Sequence, residues 1–329
     1  TDSGHRRRDP ARPRSATRES DVTLAPVLPG PGSQSHRTHA DPPAEQPHVH
    51  DIHAEPSETP GNDHWHLVQD GPTERLAETV VTQPAMLTAG YAAWRAWLEA
   101  GGKEPEQMAG HSLGEYTALV CAGAIDFADA VRVVKKRSEL MQAAVPVGTG
   151  AMAAVIGLDD DAVLAVCDEA SGIGVAEAVN FNSPGQVVIA GHEKAVKHAV
   201  QRAEEAGARM AVILPVSVPS HSSLMIGAGE ELAGALADVE FRTPAMTVIN
   251  ATDATAYTDA ADMRQRLASQ VHRPVYWTNT VKAMLEAGAT LIVECGPGKV
   301  LAGLVRRINR GTPVQTIDSM AGLQKALQD

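Results

Sequence analysis

The chain is short of several things, and each shortage removes a class of function. No apolar run approaches the length of a bilayer span, which excludes an intramembrane role. The first eighteen residues carry six arginines but no apolar stretch follows them, as a secretory signal would need. Residues 1–20 therefore read as a disordered leader. There are only three cysteines (Cys121, Cys167 and Cys295), far apart and without metal spacing, so reduced thiols in a cytoplasmic protein are expected. There is no basic excess: the net charge of −12 argues against nucleic acid as a main partner. No internal repeat or coiled-coil stretch is visible. What remains is ordinary for a globular protein: 329 residues, 43% apolar, enough for one large core and a subsidiary domain.

Asp21 to Leu28 reads as a short strand, followed by a tight loop Pro29-Gly30-Pro31-Gly32-Ser33-Gln34. Residues 35–66 hold few aliphatics beyond Val49 and Ile52 and no helical stripe, so irregular chain is expected there. The cluster His48, His50, His53, His64 and His66 lacks accompanying cysteines or carboxylates and reads as a histidine-rich surface rather than a metal site. Helices are expected over 73–81 and 84–100, the second burying Met86, Leu87, Trp94, Trp97 and Leu98, with Gly90 allowing close approach on that side. Asp126 is an N-cap candidate for the next helix, which places Phe127, Ala130, Val131, Val134 and Met141 inward and Arg137 between turns.

The texture then changes. Strands at 151–157, 175–181, 186–191 and 209–218 enclose helices at 159–170 and 192–208, the β-α-β-β-α-β order of a ferredoxin-like unit. Beyond it, segments 232–239, 246–250, 261–272, 280–288, 289–296 and about 299–310 alternate between helix and strand. Alternation on both sides of an insertion implies an open α/β sheet.

The densest chemical signal is Gly110-His111-Ser112-Leu113-Gly114-Glu115, a G-x-S-x-G turn. Glycines flank the serine because side chains there would collide with the turning backbone. Leu113, Tyr116, Thr117 and Val120 mark a following helix that Gly123 stops, so Ser112 sits at a helix N-terminus suited to developing negative charge. Glu115 in the first turn suits the same dipole. A serine needs a base. His221, just past the apolar run ending at Val218, lies on a loop leaving a strand, where catalytic groups concentrate. His111 is adjacent in sequence but points away from Ser112, and a helix-packing role is expected for it.

Together GHSLGEYTALVCAG, the helix with Arg137, GTGAMAAVIGL, NFNSPGQVVIAG, PVSVPSHS, RPVYW and ECGPGKVL resemble bacterial malonyl-CoA:acyl carrier protein transacylases, in order and at the expected separations. The resemblance covers residues 68–318 strongly and 22–34 weakly. It implies an α/β-hydrolase-like large domain (21–144 and 221–329) carrying an inserted ferredoxin-like domain (145–220). It also implies transfer of malonyl from coenzyme A to the phosphopantetheine of acyl carrier protein, through a malonyl-serine on Ser112 with His221 as base, supplying fatty-acid elongation. By the same resemblance Arg137 grips the malonyl carboxylate, the main-chain carbonyl of Gln270 orients His221, Leu113 donates an oxyanion N–H, and Gln83 lines the pocket. No metal or dissociable cofactor is implied; the coenzyme A thioester is substrate. Carrier docking would need a local basic surface, for which Lys194, Lys197 and Arg202, or Arg306, Arg307 and Arg310, are candidates.

Two departures stand out. The family's first loop reads G-Q-G-S-Q, and its glutamine supplies the second oxyanion N–H; here Pro31 occupies that position and has no N–H. Residues 35–66 keep the family's spacing but replace the apolar positions of its amphipathic helices with His and Pro. Two rival readings follow. A serine esterase or thioesterase also uses G-x-S-x-G, but places its histidine nearer the C-terminus after an acid and has no use for Arg137. A weakened or silent homologue that only binds carrier protein is the other, suggested by Pro31 and the altered 35–66 segment.

Overall fold

The computed structural model describes residues 22–32, 79–216 and 218–328. The leader at 1–20, residues 33 and 34 of the first loop, the 35–66 segment with its five histidines, and residues 73–78 of the first expected helix lie outside the described residues.

Two sheets carry the fold. The first has five parallel strands in the order β7-β2-β1-β8-β9: β1 Leu24–Leu28, β2 Gln107–Gly110, β7 Thr247–Ile249, β8 Leu291–Cys295 and β9 Val314–Ile317. β1 registers Val27 on Ala109 of β2 and Ala25 on Ile292 of β8. Every residue of β1, β2 and β8 is buried, as parallel strands covered by helices on both faces require. The helices of this part are α1 Thr79–Glu99, α2 Gly114–Cys121, α3 Phe127–Ala143, α6 Ile226–Ala237, α7 Ala260–Gln270, α8 Trp277–Glu286, α9 Val300–Ile308 and α10 Met320–Ala326. The second sheet is antiparallel, order β4-β5-β3-β6: β3 Gly150–Ile156, β4 Ala176–Ser183, β5 Gln186–His192 and β6 Met210–Ile213. Helices α4 Asp160–Ala170 and α5 Glu193–Glu205 bury Val163, Val166, Val196 and Ala199 against one face of it. This is the ferredoxin-like βαββαβ unit, set beside an α/β-hydrolase-like parallel sheet.

Several local expectations are corrected. One helix, α1, runs through Pro84 where a break was expected. The proline ring removes a single N–H, and burial along most of the helix offsets that loss. The stripe on α2 is not one face: all eight of its residues are buried, because the helix is enclosed by β1, β2, α1 and α3. Asp126 stands at the N-cap of α3 but makes no capping bond. Arg242 takes both its oxygens at 3.0 and 2.8 Å, a bidentate charge-assisted pair stronger than one N–H. β6 ends at Ile213 rather than 218, before Pro215, which cannot donate to a ladder. β9 and α10 were not expected from the pattern; Ser319 caps α10 by accepting from Gly322 N–H.

The sheets meet where β4 leaves its ladder. Its register shifts between Ala178 and Asn180, and Phe181 N–H donates to Val275 O at 2.9 Å while Val275 N–H donates to Val179 O at 2.8 Å. Phe181 stacks on Tyr276 with ring centres 5.0 Å apart. Bulges of this kind re-aim an edge strand beside a site. No helix among the described residues is long and apolar enough to cross a membrane.

The turn from β2 into α2 sets the tightest spacing. A Cβ on Gly114 would lie 2.0 Å from Leu28 O, and one on Gly110 would lie 1.9 Å from the Gly114 carbonyl carbon. Gly114→Ala must push α2 off β1 and is expected to cost about 1–3 kcal/mol, as overpacking does. A denaturant midpoint equal to wild type would contradict this close approach.

Candidate active site

β2 delivers the nucleophile turn to the carboxyl end of the parallel sheet, the edge where α/β proteins bind ligands. Ser112 has φ +52°, a left-handed conformation that is strained for a residue with a Cβ. It is held by Gly114 N–H donating to His111 O at 2.9 Å and Glu115 N–H donating to Ser112 O at 3.1 Å. The Leu113 N–H precedes the first helical residue and takes part in none of the described backbone hydrogen bonds. The loop from β1 passes over this turn: a Cβ on Gly30 would lie 2.5 Å from His111 O and 3.7 Å from Leu113 N. Pro31 follows on that loop, exposed.

His221, 109 residues further on, reaches the same point. Its Nε2 lies 2.8 Å from Ser112 Oγ. It too has a left-handed backbone, φ +66°, and its N–H donates to Val271 O at 2.8 Å. Its Nδ1 lies 2.9 Å from the main-chain oxygen of Gln270. Gln270 ends α7, where carbonyls lack intrahelical partners and are free to accept. An Nδ1–H donated there leaves Nε2 as the acceptor facing Ser112. Burial, and then the neighbouring Arg137 charge, push the imidazole down to about 3, so it is neutral at ordinary pH.

Arg137 is not the solvated arginine its place in α3 would suggest by itself; it is 1% exposed. Its Nη1 donates to Gln83 Oε1, and its Nη2 to Ser112 Oγ at 3.2 Å and Gln270 Oε1 at 3.0 Å. Nε is buried without a hydrogen-bond partner. The structure thus brings Ser112, His221, Arg137, Gln83 and Gln270 into one buried cluster. It holds a base already bonded to a hydroxyl, and a guanidinium beside that hydroxyl with no carboxylate in contact.

His111 packs against a helix, through Trp277 at the start of α8, and also reaches the second sheet. Its Nε2 lies 2.9 Å from Asn182 Oδ1 on β4, and its ring stands edge-on to Trp277 at 5.4 Å, so it bridges the two sheets. Sequence reasoning missed Asn182, Asn250 and Tyr257, and read Glu115 only as a dipole partner. Glu115 is fully buried, bonded to Asn250 Nδ2 and Gln270 Nε2, each at 2.6 Å, and to the Tyr257 hydroxyl. The available signal was position: Asn250 directly follows β7, at the carboxyl edge of the same sheet. Among the described residues no group of three or more His, Cys, Asp or Glu side chains could hold a metal ion.

An imidazole kept neutral when the unfolded chain would protonate it lowers stability. The folded value, about 3, lies below the ordinary 6.5. The unfolded state therefore binds more protons between those values, and stability is lost as pH falls from 6.5 towards 3. Against a His221→Gln variant lacking this group, wild-type melting temperature should drop faster on acidification. A difference that does not change with pH would contradict it.

The chain is similar to known proteins along most of its length. Residues 53–329 match the acyl transferase domain family. A malonyl CoA-acyl carrier protein transacylase of Salmonella typhimurium is 50% identical over 301 residues, covering 92% of this chain and 97% of the relative. Among solved structures, an acyl-carrier-protein S-malonyltransferase from Burkholderia pseudomallei superposes with a TM-score of 0.91 at 47% identity, covering 94% of this chain and 100% of that one. A malonyl-transacylase in complex with its type II PKS acyl-carrier protein does so at 0.91 and 47%, covering 93% and 99%. With the fold shared, half the residues identical and both chains covered almost end to end, this chain belongs to the malonyl CoA-acyl carrier protein transacylase family of acyl transferases.

Proposed function

We propose that the chain transfers a malonyl group from coenzyme A to the phosphopantetheine thiol of acyl carrier protein, supplying fatty-acid elongation. The observation that carries this is one hydroxyl, Ser112 Oγ, shared between His221 Nε2 at 2.8 Å and Arg137 Nη2 at 3.2 Å. In malonyl a single methylene separates the carboxylate from the thioester carbonyl, so the group binding the carboxylate must stand beside the nucleophile.

Ser112 Oγ attacks the thioester carbonyl as its proton passes to His221 Nε2. The tetrahedral adduct collapses, the carbon–sulfur bond breaks, and the proton goes from His221 to the coenzyme A sulfur. Malonyl-serine remains. The phosphopantetheine thiol then attacks that ester, giving its proton to His221, which returns it to Ser112 Oγ. Gln270 O orients the ring without the charge a triad aspartate would bring. Arg137 pairs with the malonyl carboxylate as a planar, permanently charged fork, helped by Gln83. Acetyl would leave that buried guanidinium unpaired, which favours malonyl. Leu113 N–H faces the developing oxyanion.

The units performing this are 21–144 with 221–329 as the catalytic domain and 145–220 as the ferredoxin-like domain. The chemistry calls on no metal or dissociable cofactor. Three buried, unpaired cysteines suit a reducing cytoplasm. For the acidic carrier, the α5 face is poorly suited, since Lys197 pairs with Glu193, and Arg202 with Glu169 and Glu205. Arg306 and Arg307 hydrogen-bond neutral acceptors, Val314 O and Gln186 Oε1, and with Arg310 leave positive charge for the carrier.

Mixing the protein with isotope-labelled malonyl-CoA should give a malonyl mass shift on Ser112 that acyl carrier protein discharges. Arg137→Ala should lose about 100-fold or more of the preference for malonyl over acetyl. Immediate release of free malonate would indicate a hydrolase, and no adduct would indicate a carrier-binding module.

Pro31 favours a second reading, that of a weakened transferase. The loss of one oxyanion donor costs about a hundred- to a thousandfold in rate. Restoring the N–H with Pro31→Gln should raise malonyl transfer by about that factor; an unchanged rate would remove the idea.

A further inference from the structure

Glu115 stands three residues after Ser112 and is fully buried. Every group facing its carboxylate is a donor. Oε1 receives Asn250 Nδ2 at 2.6 Å and the Tyr257 hydroxyl; Oε2 receives Gln270 Nε2 at 2.6 Å. Both amides have their orientation decided by other partners. Asn250 Oδ1 accepts from Thr252 N–H at 2.8 Å and Thr252 Oγ at 2.6 Å, which turns Nδ2 to Glu115. Gln270 Oε1 accepts from Arg137, which turns Nε2 to Glu115 and to Ser112 O at 3.0 Å. Such a shell suits an ionised carboxylate, which only accepts. A protonated one would have only the Tyr257 oxygen to accept its hydrogen, and that oxygen already accepts from Asn250 Nδ2 at 3.0 Å.

We propose that Glu115 is a positioning residue for acyl transfer: it secures the Gln270 side chain, and through that one residue aligns both the carbonyl holding His221 and the amide oxygen holding Arg137. This rests on the transferase reading above. Gln270 hydrogen-bonds Ser112, His221 and Arg137 together, and Glu115 ties it to α2. The carboxylate also supplies negative charge one amide away from Arg137. When His221 takes the serine proton, a second cation forms beside that guanidinium. A carboxylate bridged to the pair by an amide offsets it without contacting the imidazole.

A role confined to holding the fold would not be coupled to the proton balance of the reaction; this one is. The charged and titratable groups around the network are Tyr116 and Glu115 on α2, Arg137 on α3, Tyr257 before α7 with Arg266 of α7 over its ring at 5.2 Å, and His221 and His111 at the turns. Burial raises both tyrosines and lowers both histidines. Burial pushes Glu115 up to about 7 against the pull of its hydrogen bonds. Among these, Glu115 alone titrates in the working range, and its protonated form gives up the negative charge that strengthens its bond to Gln270. Transfer should therefore fall as pH drops through about 7.

The test is kcat/KM for malonyl transfer across roughly pH 5.5 to 9 in wild type, Glu115→Gln, Gln270→Ala and the double variant, with melting temperature for each. Wild type should lose activity on the acid side. Glu115→Gln should be slower by about 10- to 100-fold at the alkaline plateau, with that acid limb gone. Gln270→Ala removes a donor that stabilises the carboxylate, so its limb should move to higher pH. The double variant should be no slower than Gln270→Ala alone. A limb unchanged in both single variants, or losses that multiply, would overturn the proposal. If Glu115→Gln fails to fold, the limb shift in Gln270→Ala decides alone. Labelled malonyl-serine in wild type separates the two readings: no adduct means the transferase reading has failed, whereas adduct with a flat profile means only this inference has.

Discussion

A positive charge buried without a carboxylate in contact is the constraint around which this protein is arranged. Arg137 is removed from water, and its partners are neutral oxygens: two glutamine amides and a serine hydroxyl. Leaving a guanidinium so placed is unfavourable until an anion arrives. That standing deficit fits a pocket meant for a carboxylate, and it explains why the nearby groups carry no competing positive charge. Burial, and then Arg137, hold His221 neutral, with its Nε2 2.8 Å from the Ser112 hydroxyl. The only buried carboxylate in the cluster, Glu115, is kept one amide away, near enough to balance the charge and too far to occupy the guanidinium.

The parallel sheet makes this convergence possible. β1, β2 and β7 end at the same edge, delivering the 29–32 loop, the Ser112 turn and Asn250 within one region. Helix ends complete it. Gln270 contributes its main-chain oxygen because it terminates α7, and the His221 loop is pinned to that same terminus through Val271 O. The antiparallel unit is joined at its edge strand: Asn182 holds His111, and Glu177 accepts both the N–H and the hydroxyl of Ser223, two residues past the base, each at 2.7 Å. Placement of the small sheet is thereby linked to placement of His221.

Two of the three non-glycine residues with positive φ among those described are Ser112 and His221. Such backbone costs on the order of 1 kcal/mol or more each, and it persists because the surroundings leave no alternative. Gly114 lies against Leu28 O, and the His221 N–H is already committed to Val271 O. The two groups that must meet are each turned out of a regular element by the strain that presents them.

Much of this was legible beforehand because it depends on local chemistry. Gly110 and Gly114 announced a turn no other residues could make, and the β-α-β-β-α-β order followed from periodicity alone. Pro31 declared its missing N–H in a single letter. Other features resisted reading. Pro84 suggested a break that burial of α1 overrode, and Asp126 was claimed by Arg242 from 116 residues away. β9 was too short to separate from loop.

Sequence by itself determined the glycine-flanked turn that presents Ser112, the alternation that builds each sheet, and the missing N–H at Pro31, because these reside in covalent structure and nearest neighbours. Only tertiary structure decided that Arg137 is buried rather than solvated, that Gln270 meets the cluster with both its carbonyl and its side chain, and that Glu115 faces three side-chain donors rather than a helix dipole. Each of those outcomes depends on groups more than a hundred residues apart sharing one water-poor volume, and burial there is a property of the packed assembly rather than of any stretch of chain.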